Sequence, residues 1–392
     1  MKYRSLVDPQ RVQTVLRDLV AIPSVNPGFP GGHGEEEVAC YVRQFFRSNG
    51  LQWTDQAVEA GRANVVGELR GAGQGKALLL EAHMDTVQVH GMTVDPFAAK
   101  VEGGKMYGRG SCDTKASLAA MMVCLETIKR NGLVPPADVH LAAVADEEIS
   151  FKGVSALADD IACGKRAYAA AIVGEPTELD LIVAHKGVVR FHVDAHGVAS
   201  HSSNPRAGVN AIEQMAKIIR HLREWEADYE SRKHAWVGSP THCVSMIQGG
   251  VAPNTVPDAC RITIDRRTIP GEDSESVWRE MKRKLESLRE RDPGLNLSVS
   301  DPFILDYSME VSPEEPIVRL LRDNALRYGA RGELMGAAYG SDASKLTRVG
   351  VPAVVFGPGS IRQAHTKDEW VELRQVVDAA AILIETVMGF RG

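Results

Sequence analysis

The sequence predicts an α/β fold, a mostly parallel mixed sheet flanked by helices and interrupted by a smaller α+β domain. Short, wholly apolar runs alternate with helical patterns over roughly the first half of the chain, the rhythm of a largely parallel sheet. Near residue 188 these runs give way to alternating strands, the mark of a sheet with one wet face. After residue 301 the buried style returns. The shifts divide the chain into one domain built from residues 1–187 and 299–392, and an insert over 188–298.

Residues 8–21 read as a helix, with Val12, Val15, Leu16, Leu19 and Val20 on one face, Asp8 at the N-cap and Pro9 at the first helical position. Pro- and Gly-rich punctuation (IPSVNPGFPGG) precedes a second helix over 34–49, closed by Gly50. Buried strands are expected at 77–82, 139–145 and 168–173, with helices at 116–129 and 153–162 between them. In the insert, strands at 188–196, 242–249 and 259–267 and helices at 208–225 and 274–291 suggest a split βαβ sandwich of the ferredoxin-like kind. PAVVFG (352–357) is a last buried strand, and 371–388 a last helix.

Composition removes several function classes. The 392 residues can bury two or three cores of about 100–200 residues each, and 44% hydrophobic content rules out disorder as the main state. A net charge of −6, from 45 basic and 51 acidic residues with no basic stripe, argues against a nucleic-acid partner. No apolar run approaches the roughly 20 residues of a membrane span. The N-terminal segment lacks an apolar signal core, so the expected compartment is the cytoplasm. Six cysteines without a CxxC pair argue against a disulfide scaffold and against a cysteine zinc site.

Chemistry concentrates at strand ends, where α/β sheets bind ligands. LLLEAHMDT places His83 and Asp85 past a buried strand, and YGRGSCDTK puts Asp113 in a Gly-flanked loop before a helix. AAVADEEIS leaves Asp146, Glu147 and Glu148 at a strand end, AAAIVGEPT ends at Glu175, and FGPGSIRQAHTKDEW reaches His365. One such residue is an ordinary hydrogen-bonder or a solvated acid. A series of them is harder to dismiss, because acids gathered unpaired raise one another's pKa, and a divalent metal removes that difficulty. Two metals sharing a carboxylate need about two His and three acids, and His83, His365, Asp113, Glu148 and Glu175 supply them. Glu147 is left over, suited to take a proton from water and return it to a leaving nitrogen. Asp85 is placed to hold the far nitrogen of His83.

The segments EAHMDTV, YGRGSCDTKAS, ADEEIS, IVGEPTELDLIVAHKG, HGVASHSSNPRAGVNAIE, GGVAPNTVPDAC and GPGSIRQAHTKDEW resemble the M20 metallopeptidase family, and within it the acetylornithine deacetylase and succinyl-diaminopimelate desuccinylase branch. The resemblance runs in order from about residue 8 to 388. It implies an amidohydrolase with two Zn2+ per chain (Co2+ or Mn2+ as substitutes) and a lid domain through which two chains dimerise. By position, His83, Asp113 and Glu175 would bind one metal, and Asp113, Glu148 and His365 the other. Glu147 matches the general acid/base, and Asp113–Thr114 the family's cis peptide bond. His201 in GVASHSS matches the histidine that crosses the dimer to steady an oxyanion. Asn254 and Arg267 match lid residues that grip a substrate carboxylate.

The expected substrate is a small N-acyl amino acid, first of all one like N-acetylornithine. A desuccinylase, or a dipeptidase or carboxypeptidase of the same fold, is the nearest alternative, and a metal-free binding relative the more distant one. Glu rather than Asp in GEPT favours acylases and carboxypeptidases by the same resemblance. AYGSDASKL (338–346) departs from the acetylornithine deacetylase pattern in a loop expected to border the substrate. Cys112 lacks a Cys–His–Asn set and reads as packing, and no GxSxG elbow supports a serine hydrolase.

Overall fold

Four parallel strands order the first structural unit. In the computed structural model, which describes residues 2–392, the sheet runs Gln52–Glu59, Arg62–Leu69, Val139–Val144, Ala77–His83, Tyr168–Val173, Ala353–Val355 and Leu181–His185. Ala77–His83 pairs in parallel with Val139–Val144 and Tyr168–Val173, and Tyr168–Val173 in parallel with Ala353–Val355. The Gln52–Glu59 and Arg62–Leu69 hairpin joins one side in antiparallel fashion. Ala77–His83 is buried at every position, which is why its sequence is a continuous apolar run rather than an alternating one.

Helices cover the sheet. Lys115–Arg130 is buried from Lys115 to Ile128 and packs against Pro9–Ala21 and Leu373–Gly389. Pro9–Ala21 starts as its sequence predicts, with the Asp8 side chain accepting from Gln10 N and Val12, Val15, Leu16, Leu19 and Val20 buried.

The chain separates into two compact units, the second formed by Ala184–Glu310 with Gly336–Gly340. Its antiparallel sheet runs Thr241–Gly249, Ala259–Thr268, Gly187–His196, Leu297–Val299, with Ile304–Asp306 also paired to Gly187–His196. That last pairing carries the unit beyond residue 298. Alternate residues of Gly187–His196, from Val189 to Ala195, meet Met215, Ile218 and Leu222 of Ala211–Glu224 and Met281 and Leu285 of Ser274–Glu286. Each large apolar side chain removed from water there contributes about 1.5–3 kcal/mol. Thr241–Gly249 forms the sheet's margin and is mostly exposed.

Candidate metal centre

The parallel strands end along one edge of the first unit's sheet, and the side chains singled out above follow them. His83 is the last residue of its strand. Its Nδ1 lies 2.9 Å from the main-chain oxygen of Asp85, so the ring donates there and turns Nε2 towards the acids. Nε2 is 3.2 Å from Asp113 Oδ1 and 3.8 Å from Glu175 Oε1. The other Asp113 oxygen, Oδ2, is 3.2 Å from His365 Nε2, which also lies 3.1 Å from Glu148 Oε2. Two triads result, His83–Asp113–Glu175 and Asp113–Glu148–His365, each with ligand atoms within 4.8 Å of one another. Asp113 belongs to both, one oxygen facing each side.

Backbone geometry fixes these positions. The Asp113–Thr114 bond is cis, and Thr114 Oγ1 donates to Gly174 O at 2.6 Å, tying the Asp113 loop to the strand that leads to Glu175. Glu369 Oε1 accepts from the main-chain nitrogens of Cys112 and Asp113 at 2.9 and 3.0 Å. Its Oε2 pairs with the buried Arg109 at 2.5 Å, and Arg109 also donates to Gln88 O. Gly357 passes so close to Glu175 that a Cβ would sit 2.6 Å from its main-chain oxygen.

Electrostatically the centre is short of positive charge. Burial, then the charge of Asp113, pushes Glu148 and Glu175 above the usual carboxylate range. Burial also opposes ionisation of Asp113, but hydrogen bonds from His365 and His83 win and hold it low. Burial lowers both imidazoles, yet Asp113 and Asp85 leave His83 well raised, and Asp113 and Glu148 push His365 up to about 11. Among the described residues, the ion-pair partners of the three acids in these triads are these two imidazoles. Imidazole nitrogens and carboxylate oxygens are a donor set for zinc and its first-row neighbours. The residues therefore fit a pair of divalent cations sharing Asp113.

Glu147 lies outside both triads. Burial raises its carboxyl well above the usual range, with His83 opposing and Asp342, Glu148 and Asp113 adding to the rise. Asp85 differs from expectation: its carboxyl Oδ1 is 3.5 Å from His83 Nδ1, farther than its main-chain oxygen. The carboxylate is occupied elsewhere, by Asn26 Nδ2 at 2.7 Å and by the main-chain nitrogens of Glu147 and Glu148 at 3.0 and 3.1 Å. The 338–346 loop brings Asp342 within electrostatic reach of His83 and Glu147. Asp342 is buried near Glu81, and burial pushes it up to about 6 against the pull of Lys345.

The remaining candidates belong to the second unit. His201 is exposed, its Nδ1 2.7 Å from Ser203 Oγ, and it pairs across a short ladder with Thr255, next to Asn254. Arg267 is half-buried and held by Asp265 at 2.7 Å. It stands near the far end of Ala259–Thr268, eight residues beyond Ala259, about 26 Å at the usual rise. One chain therefore does not bring Asn254 and Arg267 together. Sequence reasoning did not foresee Asn26, which bonds to Asp85, or Arg109 and Glu369, which hold the Asp113 loop, although Glu369 stands four residues after His365 in a segment singled out for its histidine.

Solved structures with this fold include a tripeptidase from Staphylococcus aureus, 21% identical over 98% of each chain with a TM-score of 0.81. An M20 family metallo-carboxypeptidase from Sulfolobus solfataricus is 19% identical over 96% of this chain and 98% of that one, with a TM-score of 0.77. A dinuclear metal-binding M20 peptidase from Bacillus subtilis is 17% identical over 97% of each, with a TM-score of 0.71. The profile of peptidase family M20/M25/M40 matches residues 79–389, and this chain, with two acid–imidazole triads joined through Asp113, belongs to that family.

Proposed function

We propose that this hydrolase-family chain cleaves the amide bond of a small N-acyl amino acid, with N-acetylornithine-like deacetylation as the first reaction to test. The observation that carries the reading is the pair of triads sharing Asp113, with Glu147 beside them but in neither. His83, Asp113 and Glu175 would hold one divalent cation, and Asp113, Glu148 and His365 the other, Zn2+ first, with Co2+ or Mn2+ as substitutes. When bound, such ions supply Lewis-acid polarisation of a carbonyl and offset the charge of the acids.

The chain's own residues divide the remaining work. Glu147, with its raised carboxyl, takes a proton from the attacking water and returns it to the leaving nitrogen, for which a pKa near the working pH is favourable. Arg267 receives a substrate carboxylate, since its planar guanidinium matches two oxygens. His201 belongs to a separate short ladder, Ser200–His201 with Thr255–Val256, and Asn254 adjoins it, before Ala259 and so at the opposite end of Ala259–Thr268 from Arg267, so a second copy of the chain is their natural recipient. The marginal strand Thr241–Gly249 supports a homodimer through this unit, because Met246 and Ile247 are each 56% exposed and Val251 beyond it 89%. Among the described residues no helix is long and apolar enough to cross a membrane, and a reducing cytoplasm suits the six free cysteines.

A second reading, hydrolysis of short peptides, is favoured by Asp342, whose loop lacks the acetylornithine deacetylase pattern, and by the likeness to a tripeptidase and a carboxypeptidase. A panel of N-acetyl, N-succinyl, dipeptide and tripeptide substrates on metal-loaded protein separates the two. Glu147→Gln tests what they share: metal content stays near two per chain and turnover falls by about 10²–10⁴. Near wild-type turnover would remove Glu147 from its role.

A further inference from the structure

We infer that Asn26 is a positioning residue for the reaction: its amide nitrogen ties Asp85 to Asp146 and so fixes the segment presenting Glu147 and Glu148. The inference rests on the reading of Glu147 given above. Asn26 is 1% exposed, and its Nδ2 donates to Asp85 Oδ2 at 2.7 Å and to Asp146 Oδ1 at 2.8 Å, using both protons. Its Oδ1 accepts from Gly28 N at 2.9 Å, so the amide has a single sensible orientation. The main chain is pinned as well, with Asn26 N donating to Thr86 O at 2.9 Å beside the Val25–Thr86 bridge.

Each bonded acid grips the 146–148 segment from a different side. Asp85 accepts the main-chain N–H groups of Glu147 and Glu148. Asp146 is the segment's first residue, in the left-handed region at φ 67°. Its carboxylate also takes Arg62 at 3.2 Å and the hydroxyl of Ser150, while its N–H donates to Glu35. Both acids are buried, and both touch one nitrogen. Without that nitrogen two carboxylates would face each other in a low-dielectric site, with Arg62 on the Asp146 side and the His83 imidazole 3.5 Å from Asp85. Rotation of the 146–148 segment is the simplest relief, and it would carry Glu147 and Glu148 away from the triads together.

The test compares Asn26→Asp, Asn26→Ser and Glu147→Gln in the full-length, metal-loaded protein, reading kcat, KM, metal per chain and melting temperature. Asn26→Asp keeps the shape but replaces the donor with a third carboxylate, whereas Asn26→Ser keeps a small donor and leaves a gap. The expected order is a kcat loss of about 10–100-fold for Asn26→Asp and a smaller one for Asn26→Ser, with KM within about twofold in both. A packing role predicts the reverse order, with kcat following the melting temperature. If Asn26→Asp does not fold, a lowered kcat at unchanged KM and unchanged melting temperature in Asn26→Ser still supports the inference, and wild-type kcat there, or a loss that follows the melting temperature, overturns it. Wild-type kcat in Asn26→Asp beside an inactive Glu147→Gln overturns the positioning role alone. Activity retained in Glu147→Gln overturns the underlying reading instead.

Discussion

Loading the metal-free chain with zinc should expel about one proton per chain from His365 even at mildly alkaline pH. A ligating imidazole must be neutral, and here both imidazoles hold their protons tightly. Asp113 and Asp85 overcome burial to raise His83, and Asp113 and Glu148 push His365 up to about 11. At about pH 8 an imidazole of ordinary pKa near 6.5 is already neutral and would release almost nothing. His365 is still charged there, so it alone makes the difference one proton against none, and the raised His83 works in the same direction. Titration calorimetry at about pH 8, in buffers of different ionisation enthalpy, counts them directly. The stability of the metal-free chain carries the same sign. A histidine whose folded pKa is raised stabilises most below its unfolded value and loses that contribution as pH rises through the folded one. For His365 the window runs from 6.5 to about 11, so the metal-free melting temperature should fall with pH across it while apparent metal affinity rises. Release of fewer than about half a proton at pH 8 would mean that the imidazoles are neutral before metal arrives, and would refute the electrostatic account of the site.

Two other perturbations test the scaffold. Glu369→Gln leaves Arg109 charged, buried and without its carboxylate; a broken buried pair costs about 3–5 kcal/mol, so the melting temperature should drop by on the order of 10 °C. An unchanged melting curve would show that the Arg109–Glu369 pair does not hold the Asp113 loop. Met246→Asp with Ile247→Asp should turn a dimer into a monomer in sedimentation velocity, and turnover should fall with dimer content if His201 serves the partner's site. A fully active monomer contradicts the cross-chain role.

Much of the fold is legible in the sequence because its signals are local. The helix after Asp8 shows an N-cap, a proline and a clean apolar face, and the structure starts it at Pro9. Tyr168–Val173 is a short apolar run ended by Gly174, and it forms a strand over those same residues. The hairpin Gln52–Glu59 and Arg62–Leu69 escaped notice for a physical reason. Its outer strand is largely exposed, so it has no apolar run, and its inner strand carries Arg62 and Asn64, whose partners lie far away in sequence. The helix expected over 274–291 breaks into Ser274–Glu286 and Leu288–Arg291. In the candidate site, the residues that could hold metal are visible in the sequence because each follows a strand or opens a helix. Asn26 is not, since nothing in IPSVNPG hints that its amide reaches residues 59 and 120 positions away. Asp85 was half right: proximity to His83 could be foreseen, but not that its carboxylate would be claimed by three other donors.

The division of cations around the centre gives this arrangement its chemical sense. Two buried or nearly buried arginines stand close by, and both are bonded to acids outside the triads, Arg62 to Glu35 and Asp146, Arg109 to Glu369. An arginine stays protonated at any working pH, so a guanidinium on Glu148 or Glu175 would compete with a metal and could not leave as a neutral group. Imidazole can, and the ligating acids have imidazoles as their ion-pair partners. Lys115, buried nearby, donates to Ile22 O, and burial pushes it down to about 7 despite Glu369 and Asp85. Permanent positive charge thus fixes the acids that shape the loops, while removable positive charge faces the acids that would bind metal. The same burial that makes the cluster unfavourable when empty of cations makes a divalent ion there a strong partner, because attraction in a low-dielectric site is little screened by water.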